Sequence, residues 1–502
     1  MSYLSNDTIC AIATASGTAA ISVIRMSGDK SHEIALSRYI RKGKELTLEN
    51  IAPNRMYYGE FVDNDNKIID DVMVTFFKAP HSYTGEDSVE IVCHGSVFIQ
   101  NKILEILIDN GARLAEAGEY TMRAFVNGKM DLTQAEAVAD IISSKNEAEH
   151  RVAMNQLKGG FSKELQELRK NLVDLTSLME LELDFSEEDV EFADRTRLNN
   201  IVDNAITHFT KLTESFKLGN AIKSGIPVAI VGDTNAGKST ILNALLGEER
   251  AIVSDIAGTT RDTIEETLNI KGKTFRFIDT AGIRETDDTI EKIGIERAFK
   301  KIEEADIVLG ILDLSKSSSE YFNSARLIIT NVNLFTQKLI LVFNKVDTNQ
   351  LALWTDNEQI LCELRHSIER NIERNGGYML DEYKYSITGQ DCHDIRNLLK
   401  YTFISAKKDT DIENLKDDIY FNGSELNIDE NEVLVTNLRH YEALVNARKA
   451  LLKVKEGLVS GLSTEFVAQD LKDVLYHLGS ITGEISSSDV LNNIFGRFCI
   501  GK

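Results

Sequence analysis

The sequence predicts a multidomain chain, α+β at its N-terminus and α/β in its middle, with helical stretches on both sides of the α/β part. Three observations carry this. The chain has 502 residues, too many for one core and enough for roughly three domains. Apolar strand-like runs alternate with helical stretches between residues 226 and 404, the pattern of a mostly parallel sheet covered by helices. Before and after that stretch, apolar residues recur at helical spacing.

Within residues 1–118, Ala20–Arg25, Val72–Phe77 and Ser88–Cys93 read as strands, and Phe98–Ile108 carries apolar residues at helical intervals. Helix dominates from Thr121. Leu165, Leu168, Leu172 and Leu175 line one face of an amphipathic helix, which the acidic stretch Asp184–Glu191 interrupts or ends. The α/β part places strands at Pro227–Val231, Thr274–Ile278, Asp306–Leu314, Lys338–Phe343 and Tyr401–Ile404. Helix returns over Glu432–Leu458 and Thr464–Leu478. Domains are therefore expected over 1–118, 119–224, 225–424 and 425–502, the second and fourth being halves of one helical domain.

Composition sets bounds. The apolar fraction of 42% is ordinary for a globular chain, and Pro53, Pro80 and Pro227 are the only prolines, which permits long helices. No apolar stretch approaches the roughly 18 residues of a membrane span, and the first residues lack a basic region followed by an apolar run, so neither membrane nor leader is expected. Five scattered cysteines without a CxxC pair argue against zinc and point to a reduced, cytoplasmic setting. A net charge of −23 excludes a diffuse basic coat, so any nucleic-acid contact must be local or made through a partner.

Gly232-Asp233-Thr234-Asn235-Ala236-Gly237-Lys238-Ser239 follows an apolar strand and precedes an apolar helix, the context a phosphate-binding loop demands. Its glycines let backbone N–H groups turn around phosphate oxygens, and the helix adds its positive end. Lys238 is expected on the β- and γ-phosphates and the Ser239 hydroxyl on Mg²⁺. Asp279-Thr280-Ala281-Gly282 ends another strand; Asp279 can hold the metal through water, and the N–H of Gly282 can meet the γ-phosphate. Asn344-Lys345-Val346-Asp347 reads the base: the Asp347 carboxylate accepts from guanine N1–H and the exocyclic amine, a donor pair adenine lacks, while the Lys345 stem covers the ring. The backbone of Ser405-Ala406-Lys407 can donate to guanine O6. Gly258–Asp262 sits where a first switch belongs, with Thr260 as second Mg²⁺ ligand. Ile283, after Gly282, cannot orient water, so Glu291 is the candidate, acting through a bridging water.

The chain resembles the MnmE (TrmE) tRNA-modification GTPases nearly end to end. The resemblance rests on Asn235 in the phosphate loop, SDIAGTTRD (254–262), DTAGIRE (279–285), IEKIGIERA (290–298), the NGKMDLTQAEA segment and the terminal FCIGK (498–502). It implies an α+β folate-binding N-terminal domain, a discontinuous helical domain and an inserted Ras-like P-loop G domain. It implies a homodimer that works with an MnmG-type flavoprotein, carrying FAD, in a heterotetramer acting on tRNA. A tetrahydrofolate derivative supplies the one-carbon unit for an aminomethyl-type group at C5 of the wobble uridine.

By the same resemblance hydrolysis is K⁺-stimulated, with Asn235, Ser254, Ile256 and Thr259 around the ion. The GTP-binding set becomes Asn235, Ala236, Gly237, Lys238, Ser239 and Thr240, with Ser254, Asp255, Ile256, Ala257, Gly258, Thr259 and Thr260. It continues with Asp279, Thr280, Ala281, Gly282, Asn344, Lys345, Asp347, Ser405, Ala406 and Lys407. Glu291, Lys238 and Thr260 form the catalytic set, and Glu291 aligns with the family's water-orienting glutamate. Arg25, Glu90, Lys129 and Lys502 match the folate residues, and Cys499 the C-terminal cysteine, either a chemical group or a tucked-in thiol.

Two departures stand out. Asp233 and Thr234 replace the usual Arg-Pro of the loop, bringing negative charge near the phosphates at a position that can face outward. A polar insertion spans about 349–399, holds Trp354 and reads partly helical from Glu358 to Arg374. It is expected to be a passive elaboration rather than a partner site. Two rival classes stay open: a ribosome-assembly GTPase, and a regulatory GTPase whose outer domains only dimerise.

Overall fold

A computed structural model describes residues 7–41, 46–184, 195–247, 266–278, 302–348, 399–423, 433–485, 488–496 and 498–501, together with 364, 367, 368, 370, 371 and 374. Two compact units emerge: Met1–Ser143 with Arg151–Thr213 and Leu438–Lys502, and Ser144–His150 with Glu214–Asn437.

The first unit opens with β1 (Ile9–Ile12), β2 (Ile21–Ser27), α1 (Ser31–Arg38), β3 (Tyr39–Ile40), β4 (Met56–Val62), β5 (Ile68–Phe77), β6 (Ser88–His94), α2 (Val97–Asp109) and β7 (Arg113–Leu114). Its sheet runs β3-β4-β5-β6-β2-β1-β7, antiparallel except where β7 meets β1. Period-two alternation explains its two faces. Ile24, Met26, Val89, Ile91 and Cys93 enter a core closed by Ile34, Ile103, Ile106 and Leu107 of α1 and α2. Arg25 and Glu90 are then left on the opposite face, directly across from one another in register.

Helices follow: α3 (Glu119–Val126), α4 (Leu132–Ser143), α5 (Glu147–Leu157), α6 (Gly160–Asp184) and α7 (Arg195–Ser224). Leu165, Leu168, Leu172 and Leu175 are all buried, as their spacing predicts.

In the second unit come β8 (Ile226–Gly232), α8 (Lys238–Leu246), β9 (Glu266–Ile270), β10 (Lys273–Phe277), β11 (Ile307–Asp313), α9 (Ser318–Asn331), β12 (Lys338–Asn344), β13 (Leu399–Phe403) and α10 (Ile412–Asn422). The order β13-β12-β11-β8-β10-β9 is parallel throughout except for the β9–β10 pair, which is the arrangement of a Ras-like P-loop domain. Both faces are covered. Ala229 and Val231 of β8 join a core with α9, and Val228 and Ile230 join one with α8 and α10. Burial on both sides is why these strands read as unbroken apolar runs. The loops that leave β8, β11 and β12 therefore meet at the carboxyl edge of the sheet, where open α/β sheets bind ligands.

The first unit is completed by α11 (Leu438–Ser460), α12 (Thr464–Thr482) and α13 (Ser488–Phe495). The helix expected from Glu432 begins only at Leu438. Val433–Asn437 is irregular; its β-branched valines and threonine disfavour helix, and the Val435 N–H donates to Ser215 Oγ at 3.1 Å instead. Among the described residues no helix is long and apolar enough to cross a membrane.

Candidate nucleotide site

The phosphate loop is shaped by residues that only its backbone geometry explains. Gly237 has φ +95°, and a Cβ there would strike the amide of Asn344. Asn235 also lies in the left-handed region, at φ +63°, a conformation asparagine tolerates better than most. α8 starts at Lys238 directly after Gly237, so its first N–H groups open onto the loop. The Lys238 ammonium arches back and donates to the carbonyls of Gly232 (2.8 Å) and Asp233 (2.7 Å). This glycine-lined cradle at a helix N-terminus suits a phosphate chain, with Ser239 one residue into the helix. The Asp233 carboxylate turns away towards α9, accepting from Ser324 Oγ at 2.7 Å and from Lys316 Nζ at 3.0 Å.

Asn344, 2% exposed at the end of β12, ties three stretches together. Its Nδ2 donates to the Ala236 carbonyl at 2.9 Å, and its Oδ1 accepts from the Ala406 N–H at 3.2 Å. Lys345 follows at φ +66° and its ammonium pairs with Asp313 Oδ2 at 2.6 Å. Burial opposes the charge on Asp313, but Lys345 and Ser315 outweigh it and hold the carboxyl below its usual range. Asp347 Oδ1 accepts from Ser405 Oγ at 2.8 Å, and that bond keeps the Asp347 carboxyl ionised to lower pH than usual. The loop 232–240, the 344–347 turn and the 405–406 turn thus form one cluster, and Asp347 is exposed at its rim.

In the first unit, Arg25 Nε and Nη2 both donate to Glu90 Oε1, at 3.0 and 2.8 Å. The guanidinium lies 5.5 Å from the Tyr83 ring centre and 5.7 Å from that of Tyr120. Lys129 reaches the same 80–85 loop, donating to the Pro80 carbonyl at 2.9 Å. A guanidinium, a carboxylate and aromatic faces form a donor set suited to a planar ligand that carries carboxylates. Cys499 is exposed, and its carbonyl accepts from the Gly118 N–H at 3.4 Å, while Ile500 bridges Ala117, so the chain end is stitched to the segment before α3. The expected site residues Ser254, Asp255, Ile256, Ala257, Gly258, Thr259, Thr260, Asp279, Thr280, Ala281, Gly282, Glu291 and Lys502 lie outside the described residues.

Sequence reasoning missed Asp313, Lys316 and Ser324, which read as an ordinary strand end and helix start. It also missed what the NGKMDLTQAEA segment does structurally. Glu136 of α4, 7% exposed, accepts from His440 Nε2 at 2.7 Å and from Arg439 Nη2 at 2.9 Å, joining α4 to α11. In the insertion, Leu364, Ser367, Ile368 and Asn371 are buried at helical spacing, and Asn371 donates to the Ile329 and Val332 carbonyls at the end of α9. Leu364 and Ile368 belong to the core of their unit.

A P-loop between β8 and α8, backed by a buried asparagine and a base-side aspartate on a Ras-like sheet, defines a guanine-nucleotide-binding protein. The sequence matches the model of the TrmE GTP-binding protein N-terminus over residues 8–129 and that of the MnmE helical domain over 132–499. It is 48% identical to the tRNA modification GTPase MnmE of Bacteroides thetaiotaomicron over 501 residues, 99% of this chain and 100% of that one. It is 46% identical to that of Flavobacterium johnsoniae over 503 residues, again 99% and 100% of the two chains. The chain belongs to the MnmE (TrmE) family of tRNA modification GTPases, and it is a GTPase.

Proposed function

We propose that this chain is a K⁺-stimulated GTPase that works with an MnmG-type flavoprotein to install an aminomethyl-type group at C5 of the wobble uridine of certain tRNAs. The observation that carries the reading is the Asn344 clamp, which holds the phosphate loop and the base-reading turn in one cluster. Family membership along the whole chain extends it from GTP hydrolysis to tRNA modification.

In this reading the chain binds GTP with the N–H groups of Asn235–Thr240 around the phosphates, and Lys238 exchanges its carbonyl partners for the β- and γ-oxygens. Asp347 accepts from the guanine donors, the Lys345 stem lies against the ring, and Ser405–Lys407 presents backbone N–H to O6. Ser239 and Thr260 would hold Mg²⁺; Asn235, Ser254, Ile256 and Thr259 would hold K⁺; Arg25, Glu90, Lys129 and Lys502 would hold the tetrahydrofolate. When bound, the cations would supply positive charge against that developing on the phosphates, and the folate would supply the one-carbon unit. Glu291 orients the attacking water, and Asp279–Gly282 responds to loss of the γ-phosphate. The protein acts as a cytoplasmic homodimer, with domains over 1–118, 119–224, 225–424 and 425–502. FAD sits on the partner.

Nucleoside mass spectrometry tests the function directly. A clean gene deletion should leave wobble uridines without their C5 side chain, and normal modification would remove the proposal. Turnover should be faster in KCl than in NaCl at equal ionic strength; equal rates discard the K⁺ site. Glu291→Ala should keep GTP affinity and slow hydrolysis by about 10²-fold, and an unchanged single-turnover rate would remove Glu291 from that role.

A further inference from the structure

The turn that leaves β11 touches both halves of the nucleotide site. Asp313, 5% exposed, accepts from the Ser315 N–H at 2.9 Å and Ser315 Oγ at 2.6 Å through Oδ1, which folds the turn upon itself. Its other oxygen takes the Lys345 ammonium of the base-reading turn. The Leu314 N–H donates to the Asn344 carbonyl at 3.1 Å, fixing the turn to the end of β12. Two residues on, Lys316 crosses to the phosphate loop and pairs with Asp233. Ser317 then caps α9, whose Ser324 makes the second bond to the same Asp233 oxygen.

We infer that the Asp313–Lys316 turn is a positioning element for GTP binding, aligning Lys345 for the base through Asp313 and screening the phosphates from Asp233 through Lys316. The inference rests on the guanine-nucleotide reading of the site. Its physical basis is different on the two sides. Asp233 stands in the phosphate loop itself and carries a full negative charge into a place meant for polyanions. Lys316 and Ser324 draw that carboxylate outward and cancel its charge. Without the cation, repulsion grows with each phosphate on the ligand. Lys345, by contrast, is a base-side residue in a left-handed backbone conformation, and a buried carboxylate holds its long side chain in one rotamer. Releasing it costs affinity that does not depend on phosphate number.

Lys316 and Asp313 are thus positioning residues with separable signatures. Competition against a fluorescent GDP analogue measures GMP, GDP and GTP affinity in one series on the full-length chain. Lys316→Ala should weaken GTP by about 5-fold, GDP less and GMP little, and Lys316→Arg should keep wild-type affinity. Adding Asp233→Asn to Lys316→Ala should restore GTP binding, because the charge needing cancellation is gone. Asp313→Asn should weaken all three nucleotides alike, by about 10-fold. Equal losses for GMP and GTP in Lys316→Ala, or no rescue by Asp233→Asn, would overturn the phosphate arm. A graded loss in Asp313→Asn would overturn the base arm. Wild-type protein that bound ATP as well as GTP would instead overturn the site reading itself, which separates the two failures.

Discussion

Asp347→Asn should weaken GTP by about 10³-fold and turn the preference towards xanthosine triphosphate. Guanine offers two donors on one edge, N1–H and the exocyclic amine, and a carboxylate accepts from both. Xanthine keeps N1–H but has a carbonyl in place of the amine. Against xanthine, the introduced amide can accept with its oxygen and donate with its nitrogen, whereas against guanine its N–H₂ faces another donor. Ser405 Oγ, 2.8 Å from Asp347 Oδ1, holds the side chain and can also donate to an amide oxygen, though more weakly than to the carboxylate, so the substitution keeps the contact that anchors the turn. Equilibrium binding of both triphosphates checks this. A variant that still favoured GTP would remove Asp347 from base recognition.

The second large effect concerns stability. Glu136 lies between helices α4 and α11 with His440 and Arg439 as partners. Burial works against its charge, yet His440 and Arg439 outweigh that and hold its pKa down to about 2. A carboxylate depressed in the folded state adds stability above its unfolded pKa of roughly 4.3, and loses it as pH falls towards the folded value. The first unit should therefore weaken progressively between about pH 5 and pH 2. At neutral pH Glu136→Ala leaves a partly buried arginine without its carboxylate, costing about 3–5 kcal/mol. Because the first unit is only part of the chain, that lowers its melting temperature by about 5 °C or more. Glu136→Gln, which keeps shape and some hydrogen bonding, should lose less. The cluster belongs to the first unit, so GDP affinity should be retained. Calorimetry showing a shift below about 2 °C for the alanine variant would mean that the pair adds little.

The nucleotide chemistry was legible early because each of its parts is local. Gly237 and Lys238 are informative as neighbours, and a loop between an apolar strand and an apolar helix needs no partner to be recognised. Most strands of the second unit were equally plain. Five of them show as apolar runs whose limits were read to within two residues, whereas β9, at the sheet edge and half exposed, has no such run and was not read. Val433–Asn437 misled because an apolar run before a helix resembles its first turn, while what holds it is a serine on α7.

The sequence by itself determined which ligand class the protein takes and that its outer domains belong to an RNA-modifying family, since short motifs with fixed spacing carry that information. Tertiary structure alone decided what each charge does. It faced Asp233 towards Lys316, locked Lys345 onto Asp313, set Arg25 across from Glu90 and sealed Glu136 against His440. The reason is distance along the chain. These partners stand 83, 32, 65 and 304 residues apart, and a pairing across such a gap exists only once the sheets and helices have brought the two ends together.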